Sequence, residues 1–325
     1  MRLILMGSGE FGVPTFAALA EDRRFAVAQV VTQPDRPAGR QRQLTPTPVA
    51  AWAAACGLPV MKPENVNLPE VIAALRAVQA QAAVVIAFGQ KLSPELLAAT
   101  GELTINLHAS LLPKYRGAAP INWAIIRGET ETGLSVIALA QRMDAGAVYG
   151  QCVTRIDPLE TAGELHDRLA ALGPALVSAA LDQFERGELA GQAQDETKAT
   201  QAPKLKKSDG VIDWSADAAT VRNRVHGLTP WPGVSVRWWS GSEERTLMLR
   251  RVAAEPAMRC GPPPEGSQAQ AQDAAPPGTV LEGGRVRVGH AETIRLLEVQ
   301  APGSRPMTIQ EFMRGHALRP GDRLG

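Results

Sequence analysis

Apolar positions fall in short runs at Leu3–Met6, Val27–Thr32, Ala83–Ala87 and Thr104–His108, with helical spacing between them at Val13–Ala20, Pro48–Ala55 and Val71–Ala77. Short strands alternating with helices predict an α/β fold with a doubly wound parallel sheet and helices on its faces. A helix at Ala119–Arg127, strands at Gly133–Leu139 and Val148–Ile156, and one long amphipathic helix at Ala162–Phe184 complete a first domain over 1–190. From Gly191 to Ser208 the chain is rich in Gln, Ala, Thr, Lys and Pro without apolar period, so 191–208 reads as a linker. Residues 209–325 then give a helix at Ala218–Gly227 and short strands at Ser235–Trp239, Thr246–Arg251, Gly278–Leu281, Arg285–Val288 and Thr293–Val299. Separated by Gly and Pro turns, they predict a small β-barrel, interrupted by a flexible insert at 256–277.

Composition narrows the class. A chain of 325 residues with 45% hydrophobic content supports two domains with substantial cores. No apolar run approaches the ~18 residues that would span a bilayer, and no signal-peptide pattern opens the chain, so a soluble, cytoplasmic protein without a membrane partner is expected. Cys56, Cys152 and Cys260 are scattered, which indicates neither a disulfide framework nor a metal site. The formal net charge is +1, but from Pro203 onward 17 basic residues face 13 acidic ones. A mildly basic C-terminal part could draw a polyanion to one side of a site.

The chemistry concentrates in Asn106-Leu107-His108-Ala109-Ser110-Leu111-Leu112-Pro113-Lys114-Tyr115-Arg116-Gly117. Alternation along a strand sends Asn106 and His108 to one face while Ile105 and Leu107 enter the core. The aperiodic segment after them is an ordered loop at the carboxyl end of the strand, where open α/β sheets bind ligands. Asp144, in the turn Met143-Asp144-Ala145-Gly146, is either a turn former or the carboxylate that a histidine acting on an amine needs to fix its tautomer and favour its imidazolium. Gly7-Ser8-Gly9-Glu10-Phe11-Gly12 has the spacing of a dinucleotide phosphate loop, which raises a nicotinamide dehydrogenase. Glu10 opposes it by placing a carboxylate where a pyrophosphate would sit.

Two basic segments stand apart from that loop. Residues 33–44, with Arg36, Arg40 and Arg42 spaced by prolines, form a stiffened surface loop suited to phosphate and base-edge contacts. Lys204, Lys206 and Lys207 form a second cluster in the linker, which taken alone reads as a solvated hinge. Trp214, Trp231, Trp238 and Trp239 are expected in the barrel core.

The Asn106–Pro120 run, together with Asp144 in Met-Asp-Ala-Gly, resembles the folate-dependent formyltransferases over nearly the whole chain. The resemblance implies a Rossmann-like formyltransferase domain followed by a small OB-like β-barrel, with 10-formyltetrahydrofolate as co-substrate and no metal. It assigns Asn106, His108 and Asp144 to catalysis. The folate pocket maps to Phe88, Gly89, Gln90 and Leu92, to Ser110, Leu111, Leu112 and Pro113, and to the backbone around Asp144. The loop around Arg36, Arg40 and Arg42 and the Lys204, Lys206 and Lys207 segment resemble those of members that act on initiator methionyl-tRNA, so that tRNA is the implied partner of a monomeric enzyme of translation initiation. After Arg40 such members often carry two lysines where this chain has Gln41-Arg42-Gln43.

In that chemistry Asn106 donates to the oxyanion of the formyl carbon, and His108, paired with Asp144, donates as imidazolium or moves a proton from the attacking amine to the leaving nitrogen. A nucleotide-sugar N-formyltransferase would use the same trio and is the alternative. A noncatalytic tRNA-binding module is disfavoured by the complete trio.

Overall fold

The computed structural model describes residues 1–39, 43–255, 275–289 and 291–325; Arg40, Arg42 and residues 256–274 of the expected insert lie outside the described residues. The chain forms two compact units.

The first unit comprises 1–117, 132–154 and 166–202. In chain order its strands are β1 (Arg2–Gly7), β2 (Ala26–Val31), β3 (Arg36–Ala38), β4 (Gln43–Thr45), β5 (Val60–Met61), β6 (Ala82–Ile86), β7 (Leu103–His108), β8 (Arg116–Gly117), β9 (Glu131–Ala138), β10 (Val148–Arg155) and β11 (Gln201–Ala202). Seven of them build one sheet in the order β10-β9-β7-β6-β1-β2-β5. Leu3, Ile4, Leu5 and Met6 of β1 and Ala82, Ala83, Val84 and Ile86 of β6 are wholly buried, as central strands covered on both faces must be. Helices α1 (Val13–Glu21), α2 (Pro48–Ala55), α3 (Pro69–Ala77) and α4 (Pro94–Leu97) all carry proline in the first turn, where its missing N–H costs nothing. Thr47 and Ser93 cap α2 and α4 by accepting from Ala50 N and Leu96 N.

The sheet is mixed, which corrects the expectation of a parallel one. Strands β5, β2, β1, β6 and β7 pair in parallel, but β9 runs antiparallel to β7, with Ser135 opposite His108. The helix between these two strands, α5 (Pro120–Ile126), belongs to the second unit. It packs on α7 (Ala218–Gly227) of that unit, and the chain returns as the antiparallel β9. The glycine turn after β1 has a packing origin, since a Cβ on Gly7 would lie 2.6 Å from the Phe16 ring and 2.7 Å from Ile86 O.

The second unit comprises 118–131, 155–165 and 203–325. The helix α6 (Ala162–Glu185) begins in its middle segment, and α7 (Ala218–Gly227) precedes its sheet. The strands are β12 (Val234–Ser240), β13 (Glu243–Glu255), β14 (Arg285–Val288), β15 (Glu292–Gln300), β16 (Met307–Thr308) and β17 (Arg323–Leu324), with α8 (Ile309–Gly315) before the last. They form an antiparallel sheet in the order β14-β15-β13-β12-β17, with β16 on β15. Register shifts on either side of Arg251 bend β13, so the sheet curls against α7 as an open half-barrel. Gly278–Leu281 is not the expected strand: Thr279 and Val280 make only isolated bridges, and the Thr279 hydroxyl is turned back onto Pro276 O. Trp214 and Trp238 are buried in this core as expected, whereas Trp231 is 51% exposed and Trp239 lies partly exposed beneath the Arg237 guanidinium.

Candidate active site

Strand β7 alternates as its sequence requires: Leu103, Ile105 and Leu107 are buried, while Asn106 is half-buried. Gly173 on α6 gives Leu107 its room, since a Cβ there would lie 2.8 Å from the Leu107 side chain. Beyond His108 the loop is stapled to β9 and β10. The Ser135 hydroxyl donates to Ser110 O at 2.6 Å and accepts from Leu112 N at 3.1 Å and from Gln151 Nε2 at 2.8 Å. Gln151 Nε2 also reaches Leu112 O at 2.9 Å. One hydroxyl thus spends its single donor and both lone pairs on fixing the loop.

His108 is 6% exposed, and each ring nitrogen has a distinct neighbour. Because a carbonyl can only accept, Nε2 carries hydrogen and donates it to Tyr115 O at 2.9 Å. Nδ1 faces Asp144 Oδ2 at 3.7 Å, an ion-pair separation longer than a hydrogen bond. The same carboxylate oxygen accepts from Gly117 N at 2.8 Å. Asp144 and Tyr115 both have left-handed backbones, with φ of 54° and 63°, a region that Asp enters readily in turns and that is uncommon for Tyr. Asn106 makes no side-chain hydrogen bond among the described residues, so a half-buried amide next to this pair has an unspent donor and acceptor. Two residues apart on one strand, Asn106 and His108 share a face.

The residues expected around folate are placed unevenly. Phe88, Ser110 and Leu112 are buried, Leu92 and Leu111 are half-buried, Pro113 is partly exposed, and Gly89 takes a positive φ of 85°. The Ser110 hydroxyl donates to Lys114 O. The Gln90 amide is spent within the protein, accepting from Val66 N and donating to Pro63 O. Among the described residues no three His, Cys, Asp or Glu side chains converge as a metal would require.

Of the basic residues, Arg36 sits on β3 and is paired with Glu64 at 2.6 Å. Strands β3 and β4 make an antiparallel hairpin, while Arg40 and Arg42 fall outside the described residues. Lys204, Lys206 and Lys207 are exposed on the second unit around the buried Leu205, which anchors them in its core. Tyr115 and Gly117, which hold the pair, and Ser135 and Gln151, which hold the loop, escaped sequence reasoning. The first two act through backbone atoms, which a sequence does not display, and the others are ordinary polar residues on strands.

Residues 1–181 match the family described as Formyl transferase, and residues 204–317 match Formyl transferase, C-terminal domain. The chain is 40% identical to a methionyl-tRNA formyltransferase of Geobacter metallireducens, over 100% of this chain and 99% of that one. It is 36% identical to the methionyl-tRNA formyltransferase of Bacillus subtilis, over 100% and 98%. Among solved structures, the sugar 3N-formyl transferase WlaRD shares the fold at a TM-score of 0.65 and 12% identity, over 94% of this chain and 99% of that one. Among the described residues, no helix is long and apolar enough to cross a membrane. A family match over more than half the chain, joined to full-length relatives at this identity, establishes that the chain belongs to the formyl transferase family, on its methionyl-tRNA formyltransferase branch.

Proposed function

We propose that the chain transfers the formyl group of 10-formyltetrahydrofolate to the α-amino group of methionine carried on initiator tRNA, with Asn106, His108 and Asp144 as its catalytic residues. The observation that carries this is the unspent amide of Asn106 beside a histidine whose Nδ1 faces a carboxylate. An amide N–H with no protein acceptor fits a carbonyl oxygen on the ligand. The folate would supply the formyl carbon, bonded to the nitrogen that leaves.

Negative charge develops on the formyl oxygen as the amine attacks, and the Asn106 N–H meets it; a fixed donor of this type contributes on the order of 3–4 kcal/mol at the transition state. The new bond joins the amine nitrogen to the formyl carbon, and the bond from that carbon to the folate nitrogen breaks. The proton lost by the amine must reach that leaving nitrogen. His108 Nδ1 is the ring atom free to carry it, because Nε2 is committed to Tyr115 O. While Nδ1 holds the proton, the imidazolium lies 3.7 Å from the Asp144 carboxylate, an attraction of about 4 kcal/mol at an effective dielectric near 20. The 3.7 Å gap matters, since a direct hydrogen bond to Asp144 would occupy the atom that has to exchange its proton with the substrate.

In this reading the folate lies along Phe88, Gly89, Gln90 and Leu92, along Ser110, Leu111, Leu112 and Pro113, and along the backbone around Asp144. Residues 1–190 carry the chemistry. Residues 209–325, read as an OB-like barrel, and Lys204, Lys206 and Lys207, with Arg36, Arg40 and Arg42, bind tRNA phosphates. The enzyme works as a monomer in the cytoplasm. Formyl transfer from 10-formyltetrahydrofolate to methionyl initiator tRNA, compared with methionyl elongator tRNA and an amino-sugar nucleotide, is the test. Transfer to the initiator alone is expected; transfer only to the sugar would keep the trio and overturn the acceptor.

A further inference from the structure

Residues 192–202, polar and without period, tie together the two segments that carry the site. Toward the His108 loop, Tyr115 N donates to Thr200 Oγ1 at 2.9 Å, Arg116 N donates to Thr200 O at 2.9 Å, and β11 pairs in parallel with β8. Toward the Asp144 turn, Gln194 Nε2 donates to Asp144 O at 2.8 Å and to Gly146 O at 2.7 Å. The other end of the same amide, Gln194 Oε1, accepts from Arg116 Nε at 3.1 Å and Nη2 at 2.8 Å. All four hydrogen-bonding positions of this side chain are used, two on the turn and two on the loop.

The support behind it is charged and rigid. Arg116 is only 3% exposed, and its Nη atoms reach both carboxylate oxygens of Glu196. Glu196 also pairs with Arg142, at the start of the Asp144 turn. Asp144 needs such support, because its carboxylate must stay directed at His108 Nδ1.

We propose that Gln194 is a positioning residue for formyl transfer: by clamping the carbonyls on either side of Ala145 it sets the angle at which the Asp144 carboxylate meets His108, with Arg116 and Glu196 as its backing. The proposal rests on Asp144 and His108 being catalytic. Gln194 itself touches neither substrate nor the reacting atoms.

Gln194→Glu keeps the acceptor facing Arg116 and removes both donors to the turn, while Gln194→Met removes them without adding charge. Both variants are expected to lose at least tenfold in kcat, with KM for folate and tRNA within about twofold and both proteins still folded at the assay temperature in thermal melts. In an Asp144→Asn background the same substitutions should cause no further fall, because the group they position is already gone. Wild-type kcat in Gln194→Glu, or an equal loss in both backgrounds, overturns the positioning role while an impaired Asp144→Asn enzyme keeps the catalytic reading. A fully active Asp144→Asn enzyme overturns both.

Discussion

The amide of Gly117 donates to Asp144 Oδ2 at 2.8 Å, so a backbone atom two residues past Tyr115 holds the carboxylate that faces His108. One short stretch of loop therefore supplies the acceptor for His108 Nε2 and the donor that orients its counter-ion. Substitutions that leave every catalytic side chain in place but move this backbone should be as damaging as loss of a catalytic group.

Asn106→Ala removes a half-buried amide at the site that has no partner among the described residues. The expected result is a kcat lower by about 100-fold or more, a KM for folate little changed, and an unaltered melting transition. Steady-state kinetics with methionyl initiator tRNA checks it, and normal turnover would remove Asn106 from the mechanism.

Gly146→Ala tests the turn itself. A Cβ at Gly146 would lie 1.8 Å from Ala138 O, so either the turn or the end of β9 must shift. Such overpacking costs on the order of 1–3 kcal/mol, and the displaced Asp144 should bring a fall in kcat as well. Gly9→Ala is the control, since its Cβ would meet nothing nearer than Ala87 Cβ at 3.6 Å. Thermal melts and kcat of the two variants should diverge.

His226, 1% exposed in the second unit, makes stability depend on pH. Burial, with Arg251 and Arg222 nearby, pushes its pKa down to about 4. Its Nε2 accepts from Val252 N, which needs the neutral ring. Between pH 4 and the ordinary value of 6.5 the unfolded chain binds the proton and the folded one does not, so stability rises with pH across that window and falls on acidification. The drop should be about 3 kcal/mol from above pH 6.5 to pH 4. Melting curves across this range should show it in the wild-type protein and show it flattened in His226→Gln.

Lys204, Lys206 and Lys207 are exposed and make no ion pair among the described residues, whereas Arg36 is already matched by Glu64. If the three lysines meet phosphates, replacing them together with Ala should weaken tRNA binding and reduce the log–log salt slope by about 2–3, with Arg36→Ala changing it less. Binding titrations at several salt concentrations decide this, and an unchanged slope would place the tRNA elsewhere.

Much of the catalytic region was legible because it obeys period 2: Ile105 and Leu107 inward leaves Asn106 and His108 on the other face. The mixed character of the sheet was hidden, because Pro120–Ile126 reads as a crossover helix until one sees it packed in the other unit. Gln194, Glu196 and Thr200 were illegible for a different reason. Gln194 and Thr200 act by side-chain hydrogen bonds to backbone atoms and Glu196 by ion pairs to the Arg116 and Arg142 side chains, and such contacts impose no periodicity on the residues that make them.

The parallel pairing of Gln201–Ala202 with Arg116–Gly117 also dictates a timetable. Most of the sheet around the site can form once β10 has been made, yet the strand that braces the site arrives only after the 24 residues of α6. A nascent chain released at residue 190 could own every catalytic side chain and still lack the geometry to use them. At synthesis rates of about 5–20 residues per second, the N-terminal half passes through seconds of existence as a fold awaiting its competence.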